Sequence, residues 1–297
     1  MPGIAFHQLT KHYGDVTALD GLTADVATGR ITAFLGANGS GKTTSMRLLL
    51  GLSEPDSGHA TIGGQRYVDM PHPTRSVGAV LDQGFHPNRS ARNHLRIISA
   101  QAAMPAYRVE EVLDLVGLTT AARRRVGGFS LGMRQRLALA SALVGDPAVL
   151  VLDEPFNGLD PAGIATMRSF LRTFADRGGT VFLSSHLLSE VAHSADDAIV
   201  IHRGRLVSAG PVSDLSSGSA GVVVTTADAD LLAVTLARRG ATVERTSLDM
   251  LTVTGATREV VGRAAADIGA VVTDIHGTAD DLESVFADLI QHQEATS

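Results

Sequence analysis

Short, mostly apolar runs alternate along this chain with longer stretches whose apolar residues recur at helical spacing. Residues 30–35 (R-I-T-A-F-L), 148–152 (A-V-L-V-L) and 180–184 (T-V-F-L-S) are runs of the first kind. Continuous runs of this sort belong to strands buried on both faces, as in a parallel sheet covered by helices. A helix follows the first run over 42–51. A crossover helix is predicted over 161–177, opened by Pro161 at an early position and closed by Gly178-Gly179. Residues 197–209 read as a hairpin, I-V-I-H then R-L-V-S, turning at Arg203-Gly204.

Between the first and second runs the texture is helical. Segments 90–102, 108–116 and 131–144 carry the period, with Ser90 and Ser130 as N-caps and Gly117 and Gly145 as stops. This predicts a helical insertion, about 85–146, in an α/β core. After Pro211 the chain changes again, and 213–220 has the Ser/Gly composition of a linker. Beyond it come a strand (221–226), a helix (228–239), two strands (241–246 and 250–254), a helix (257–268), a strand (270–275) and a helix (279–291). That β-α-β-β-α-β order is the split-βαβ, ferredoxin-like pattern. The expected domains are therefore 1–212 and 221–297, joined by the linker.

Composition narrows the function. The 297 residues carry 25 basic and 31 acidic side chains, a net charge of −6, which argues against a nucleic-acid partner held by a basic surface. Arg123-Arg124-Arg125 lacks the interleaved aromatics of a base-stacking surface. The absence of cysteine removes disulfides, thiolate catalysis and cysteine-ligated metals. No apolar run approaches the length of about 20 residues that a membrane helix needs. Met1–Thr10 lacks the basic start and apolar stretch of a signal peptide, so a soluble, cytoplasmic chain is expected. His12, His72, His86 and His94 show no metal-ligand spacing. Only two basic residues are lysines, Lys11 and Lys42. Lys11 reads as merely exposed, whereas Lys42 lies in a motif.

That motif is G-A-N-G-S-G-K-T, Gly36 to Thr43, between a strand and a helix. It fits G-x-x-x-x-G-K-[ST] in the context the chemistry requires. The backbone of Gly36, Ala37, Asn38, Gly39, Ser40 and Gly41 can turn its N–H groups toward phosphate oxygens, and the helix start at Thr43 and Thr44 adds its positive dipole end. Lys42 can reach the β- and γ-phosphates, and the Thr43 hydroxyl can ligate Mg²⁺. The reading is a phosphate-binding loop with a Mg²⁺ site, in a P-loop NTPase parallel-sheet core. The second element is Ala148 to Pro155, A-V-L-V-L-D-E-P. It sets Asp153 at a strand end, within reach of the same metal, and Glu154 beside it as the group that polarises the attacking water.

With these motifs in this order, residues 3–212 resemble the nucleotide-binding subunit of ATP-binding cassette (ABC) transporters, whose core also carries antiparallel N-terminal strands. Phe129–Arg136, F-S-L-G-M-R-Q-R, resembles the family signature. Ser130 and Gly132 match its serine and second glycine, while Leu131 and Met133 replace its first glycine and glutamine. The resemblance implies that this segment completes an ATP bound to the opposite subunit of a head-to-tail homodimer. It also implies that Asp160 couples the subunits, that His186 contacts the γ-phosphate, and that the Tyr13 ring stacks on adenine. In the family a glutamine closes the strand before the helical insertion; here Asp82 occupies that position and Gln83 follows. Either could supply the metal contact.

The implied function is an ATPase subunit that drives a separate integral membrane permease at the inner face of the cell membrane. The residues around Asp82 and the signature are similar to those of daunorubicin-type drug and antibiotic exporters. Two other readings are a soluble ATPase of this class acting on ribosomes or DNA, and a nucleotide-gated regulator. The single phosphate loop and the 88 positions between Lys42 and Ser130 leave no room for the second cassette or long coiled coil of the soluble classes. Residues 221–297 carry no chemical motif, and dimerisation or regulation is their expected role.

Overall fold

The apolar runs become the central strands of a six-stranded sheet in this computed structural model, which describes residues 3–81, 84–185, 194–217 and 221–277. The chain divides into two units, Met1–Ala209 and Gly210–Ser297. In the first, β1 (Ile4–Tyr13), β2 (Val16–Val26) and β4 (Ser57–Ile62) form an antiparallel sheet with β1 in the middle. The larger sheet contains β3 (Ile31–Leu35), β5 (Val77–Val80), β6 (Val149–Leu152), β7 (Thr180–Ser185), β8 (Asp197–His202) and β9 (Arg205–Pro211), in the order β5-β6-β7-β3-β8-β9. From β5 to β8 every pairing is parallel. All residues of β3, β6 and β7 are buried, as continuous apolar runs require when both faces are covered. Rings from the two sheets meet in the core: Phe6 lies 6.3 Å from Phe34 and 5.8 Å from Phe182. The predicted hairpin turns at Arg203 (φ 46°) and Gly204 (φ 79°), the two left-handed positions that a two-residue turn demands.

Helices α1 (Lys42–Leu49) and α2 (Pro73–Ser76) precede the helical insertion, built from α3 (Ala91–Gln101), α4 (Tyr107–Leu115) and α5 (Leu131–Leu143). The caps are those expected: Ser90 accepts from the Asn93 N–H and Ser130 from the Met133 N–H, both at 3.3 Å. Gly145 differs in its reason. It is absent from the left-handed residues; instead a Cβ there would lie 1.8 Å from the Thr74 carbonyl oxygen, and the left-handed turn falls on Asp146 (φ 56°). The crossover helix α6 (Pro161–Asp176) starts at Asp160, whose carboxylate accepts the Gly163 N–H at 2.8 Å.

The second unit opens with α7 (Val212–Ser217), so the start of the expected linker is helical. Asp214 in its first turn favours the helix over coil by facing the positive dipole end. Four antiparallel strands follow, β10 (Gly221–Thr226), β11 (Thr242–Arg245), β12 (Met250–Thr254) and β13 (Val272–Gly277), in the order β11-β12-β10-β13. With α8 (Ala229–Arg238) and α9 (Arg258–Asp267) this is the split-βαβ arrangement. Val224, Leu251 and Val253 from the sheet pack with Leu232, Leu236 and Val261 from the helices. The predicted helix over 279–291 lies outside the described residues.

Candidate functional site

The site is built at the carboxyl ends of β3 and β6. After Leu35 the chain must turn sharply, and two glycines are forced by close approach. A Cβ on Gly36 would lie 2.3 Å from Ser40 Oγ and 2.7 Å from the Ile201 carbonyl oxygen. Gly41 has φ 110°, and a Cβ there would lie 2.6 Å from the Ala18 carbonyl oxygen. Gly41 is also the N-cap of α1 and no side chain caps that helix, so its first N–H groups are left for an anion. Ser40 Oγ is buried and has no hydrogen-bond partner among the described residues. An uncapped helix start beside an orphaned buried hydroxyl fits a phosphate group.

Lys42 is 6% exposed, and its Nζ donates to the Gly36 carbonyl at 2.5 Å and the Ala37 carbonyl at 3.3 Å. Burial pushes its ammonium below the ordinary lysine value, opposed by the Glu154 and Asp153 carboxylates. Glu154 Oε1 is 3.8 Å from Nζ. The Thr43 hydroxyl donates to Asp153 Oδ2 at 2.7 Å. A hydroxyl and a carboxylate in contact form the hard-oxygen donor set that suits Mg²⁺. Glu154 holds a left-handed backbone (φ 49°), a conformation costing roughly 1–3 kcal/mol for a non-glycine residue. Its N–H donates to Ser184 Oγ at 2.8 Å, and the same hydroxyl donates to Asp153 Oδ1.

A cleft of about 320 Å³ runs over these groups, lined by Ala37, Asn38, Gly39, Gly41, Lys42, Thr43, Thr44 and Glu154 and, from β2, by Val16, Thr17 and Ala18. Tyr13 is not in that lining. It is 49% exposed, with the Lys11 ammonium 5.5 Å from its ring centroid. Lys11 is also not the merely exposed residue expected: its side chain is largely covered and pairs with Asp56 at 3.0 Å. The strand pairing that brings β4 beside β1 creates this contact across 45 positions.

The signature segment stands apart from the cleft. Ser130, Leu131, Gly132 and Met133 do not line it. Leu131 is 53% exposed and sits over Gly158, where a Cβ would lie 1.9 Å from Leu131 Cδ2. Gly158 takes φ 73°, and Asp160 just beyond it caps α6. From the second turn of α5, buried Gln135 donates through Nε2 to the Pro155 carbonyl at 2.7 Å. The helix that begins at the signature is thus tied to the loop that carries Glu154. His186, Asp82 and Gln83 lie outside the described residues.

Sequence reasoning missed Val16, Thr17, Ala18, Gln135 and Ser184. Val16 offered one signal, an apolar residue just past a Gly-Asp turn and 65% exposed in the structure. Gln135 stands between two arginines in the signature segment, and Ser184 closes a strand two residues before His186, so each lay inside a motif without a signal of its own.

Residues 19–157 match the model of the ABC transporter family. The bacitracin transport ATP-binding protein BcrA of Bacillus licheniformis is 42% identical over 70% of this chain and 69% of its own length. The lantibiotic transport ATP-binding protein SrtF of Streptococcus pyogenes is 35% identical over 69% of this chain and 89% of its own. A solved ATP-binding subunit of an ABC transporter superposes with a TM-score of 0.66 at 26% identity, covering 72% of this chain and 92% of that one. A bacterial Atm1-family ABC exporter with ATP bound gives 0.65 at 27% identity, over 73% of this chain and 40% of that one. The protein belongs to the ABC transporter family and is an ATP-binding subunit, an ATPase coupled to transport.

Proposed function

We propose that the cleft over Gly36–Thr44 holds the triphosphate of ATP and that Glu154 acts as general base for in-line attack of water on the γ-phosphate. The observation that carries this is the contact of Lys42 and Thr43 with Asp153 and Glu154, two segments more than a hundred positions apart in sequence. Lys42, held at the Gly36 and Ala37 carbonyls, is within the same cleft to neutralise charge developing on phosphate oxygens. Thr43 and Asp153 would hold Mg²⁺, with Asp82 or Gln83 as a further ligand. When bound, Mg²⁺ supplies positive charge to the phosphate oxygens. His186 is proposed to contact the γ-phosphate, and Tyr13 to meet the adenine ring.

Because Ser130–Met133 lie off this cleft, the reading favoured is a head-to-tail homodimer in which they complete the nucleotide site of the second copy, with Asp160 at the subunit contact. No helix among the described residues is long and apolar enough to cross a membrane. We assign the transport step to a separate integral permease, which would hold this subunit at the inner face of the membrane. Relatives named for bacitracin and lantibiotic transport and for Nod factor export support an exporter of antibiotics or drugs. The domain division proposed is a cassette over 1–212 and an accessory α+β domain over 221–297 with a dimerisation or regulatory role.

The test is ATP turnover of purified protein with and without Glu154→Gln. Loss of a general base should lower kcat by about a hundredfold or more with ATP still bound. Undiminished turnover would remove Glu154 from its role.

A further inference from the structure

Parallel pairing of β6 with β7 sets Leu152 opposite Leu183, so Asp153 and Ser184, the next residues, stand side by side. Ser184 is fully buried. A hydroxyl has one proton to give and lone pairs to accept with. Here both capacities are used on neighbouring residues of one loop: Ser184 Oγ donates to Asp153 Oδ1 and accepts the Glu154 N–H at 2.8 Å. The other oxygen of Asp153 receives the Thr43 hydroxyl at 2.7 Å, so the carboxylate is gripped from both ends. The Glu154 N–H is fixed at the one residue of this loop that is left-handed without being glycine, the turn that leaves its carboxylate 3.8 Å from Lys42 Nζ.

We propose that Ser184 is a positioning residue for hydrolysis, its single hydroxyl setting both the orientation of the Asp153 carboxylate and the backbone turn that aims Glu154. The inference rests on the roles given above to those two carboxylates. Ser184 is fully buried and does not line the cleft. It acts by narrowing the rotamers of one carboxylate and the φ of the other, so its removal should cost catalysis and Mg²⁺ use more than ATP binding.

Three substitutions separate this from plain core packing. Ser184→Ala removes the hydroxyl, Ser184→Cys keeps its volume with a much weaker donor and acceptor, and Ser184→Thr keeps the hydroxyl. Two quantities are read: steady-state kcat and KM for ATP, and the Mg²⁺ concentration that half-saturates the Mg²⁺-dependent gain in ATP binding, measured in the Glu154→Gln background. Loss of a group that orients a metal-binding carboxylate typically costs about tenfold to a hundredfold, so Ala and Cys should each lower kcat about tenfold and raise Mg²⁺ half-saturation about tenfold. KM for ATP should stay within about twofold, and Ser184→Thr should return both quantities to within about threefold of wild type. If Ser184→Ala does not fold, Ser184→Cys carries the comparison.

The proposal is overturned if the folded Ala and Cys variants keep kcat and Mg²⁺ half-saturation within about twofold of the Ser184 protein. Failure of Ser184→Thr to rescue, at a wild-type unfolding temperature, overturns it as well. Full turnover of Glu154→Gln is a separate failure: it would remove the general base and leave the Mg²⁺ shift, which reports Asp153, standing.

Discussion

Two glycines of the phosphate loop make a matched pair. Gly39 has φ 80° and nothing within 4 Å of an added Cβ. Gly41 has φ 110° and meets the Ala18 carbonyl oxygen at 2.6 Å and Leu19 Cδ2 at 2.7 Å. Gly39→Ala should therefore cost only the strain of a left-handed alanine, about 1–2 kcal/mol. Gly41→Ala bears strain of about 1–3 kcal/mol for a sparsely populated φ and, in addition, about 1–3 kcal/mol for a clash with backbone that cannot rotate away. The total is roughly 2–6 kcal/mol, about two to three times the cost at Gly39. Relief of the clash must push β2, which contributes Ala18 to the cleft, so ATP affinity should fall with stability. Denaturant unfolding of both variants gives the two free energies, and titration with a fluorescent ATP analogue gives the affinities. Equal destabilisation by the two alanines, or ATP affinity unchanged in Gly41→Ala, would refute the close approach as the reason for glycine.

Three further outcomes are expected. The Lys11 ammonium and the His12 N–H hold Asp56 down to about 2, from an ordinary carboxylate value of 3.8, so its stabilising contribution is complete above about pH 4 and is lost as pH falls through 2. Urea midpoints of wild type and Asp56→Asn should thus differ by a constant amount above pH 4 and converge toward pH 2; a gap independent of pH would count against the pairing. Gln135→Ala leaves the buried Pro155 carbonyl without its donor and should destabilise the protein by about 1–3 kcal/mol, whereas an unchanged denaturation midpoint would mean that water replaces the amide. Gly158→Ala should lower the unfolding temperature, and shortening Leu131 to alanine should recover the part due to the clash but not the part due to φ 73°; full recovery in the double variant would show that strain is negligible there.

Much of the site was legible because phosphate binding is a local property of the chain. A strand, six residues of loop and a helix start carry the donors, the flexibility and the lysine within one short segment, so spacing alone identifies Gly36–Thr43. Helix caps are local too: Ser90, Ser130 and Asp160 each satisfy an N–H three residues ahead. The family resemblance added roles that have no local signal, among them the subunit coupling assigned to Asp160 and the opposite-site contact assigned to Phe129–Arg136. Local composition misled at 213–220, where Ser and Gly suggested a linker although Val212–Ser217 is helical.

The sequence by itself determined the buried central strands and their helices, the caps at Ser90 and Ser130, the phosphate loop and an acidic pair at the end of a buried strand. The tertiary structure decided which of these touch. Thr43 meets Asp153 because β6 lies two strands from β3 in the sheet, and Ser184 meets both carboxylate-bearing residues because β7 fills the place between. Lys11 reaches Asp56 only through the pairing of β1 with β4, and Val16, Thr17 and Ala18 reach the cleft where β2 packs against the phosphate loop at Gly41 and the turn at Gly204. The physical reason is range: turns, caps and periodicity are fixed by bonds spanning a few residues. Sheet order and register are fixed by burial of whole faces, which no short segment of sequence contains.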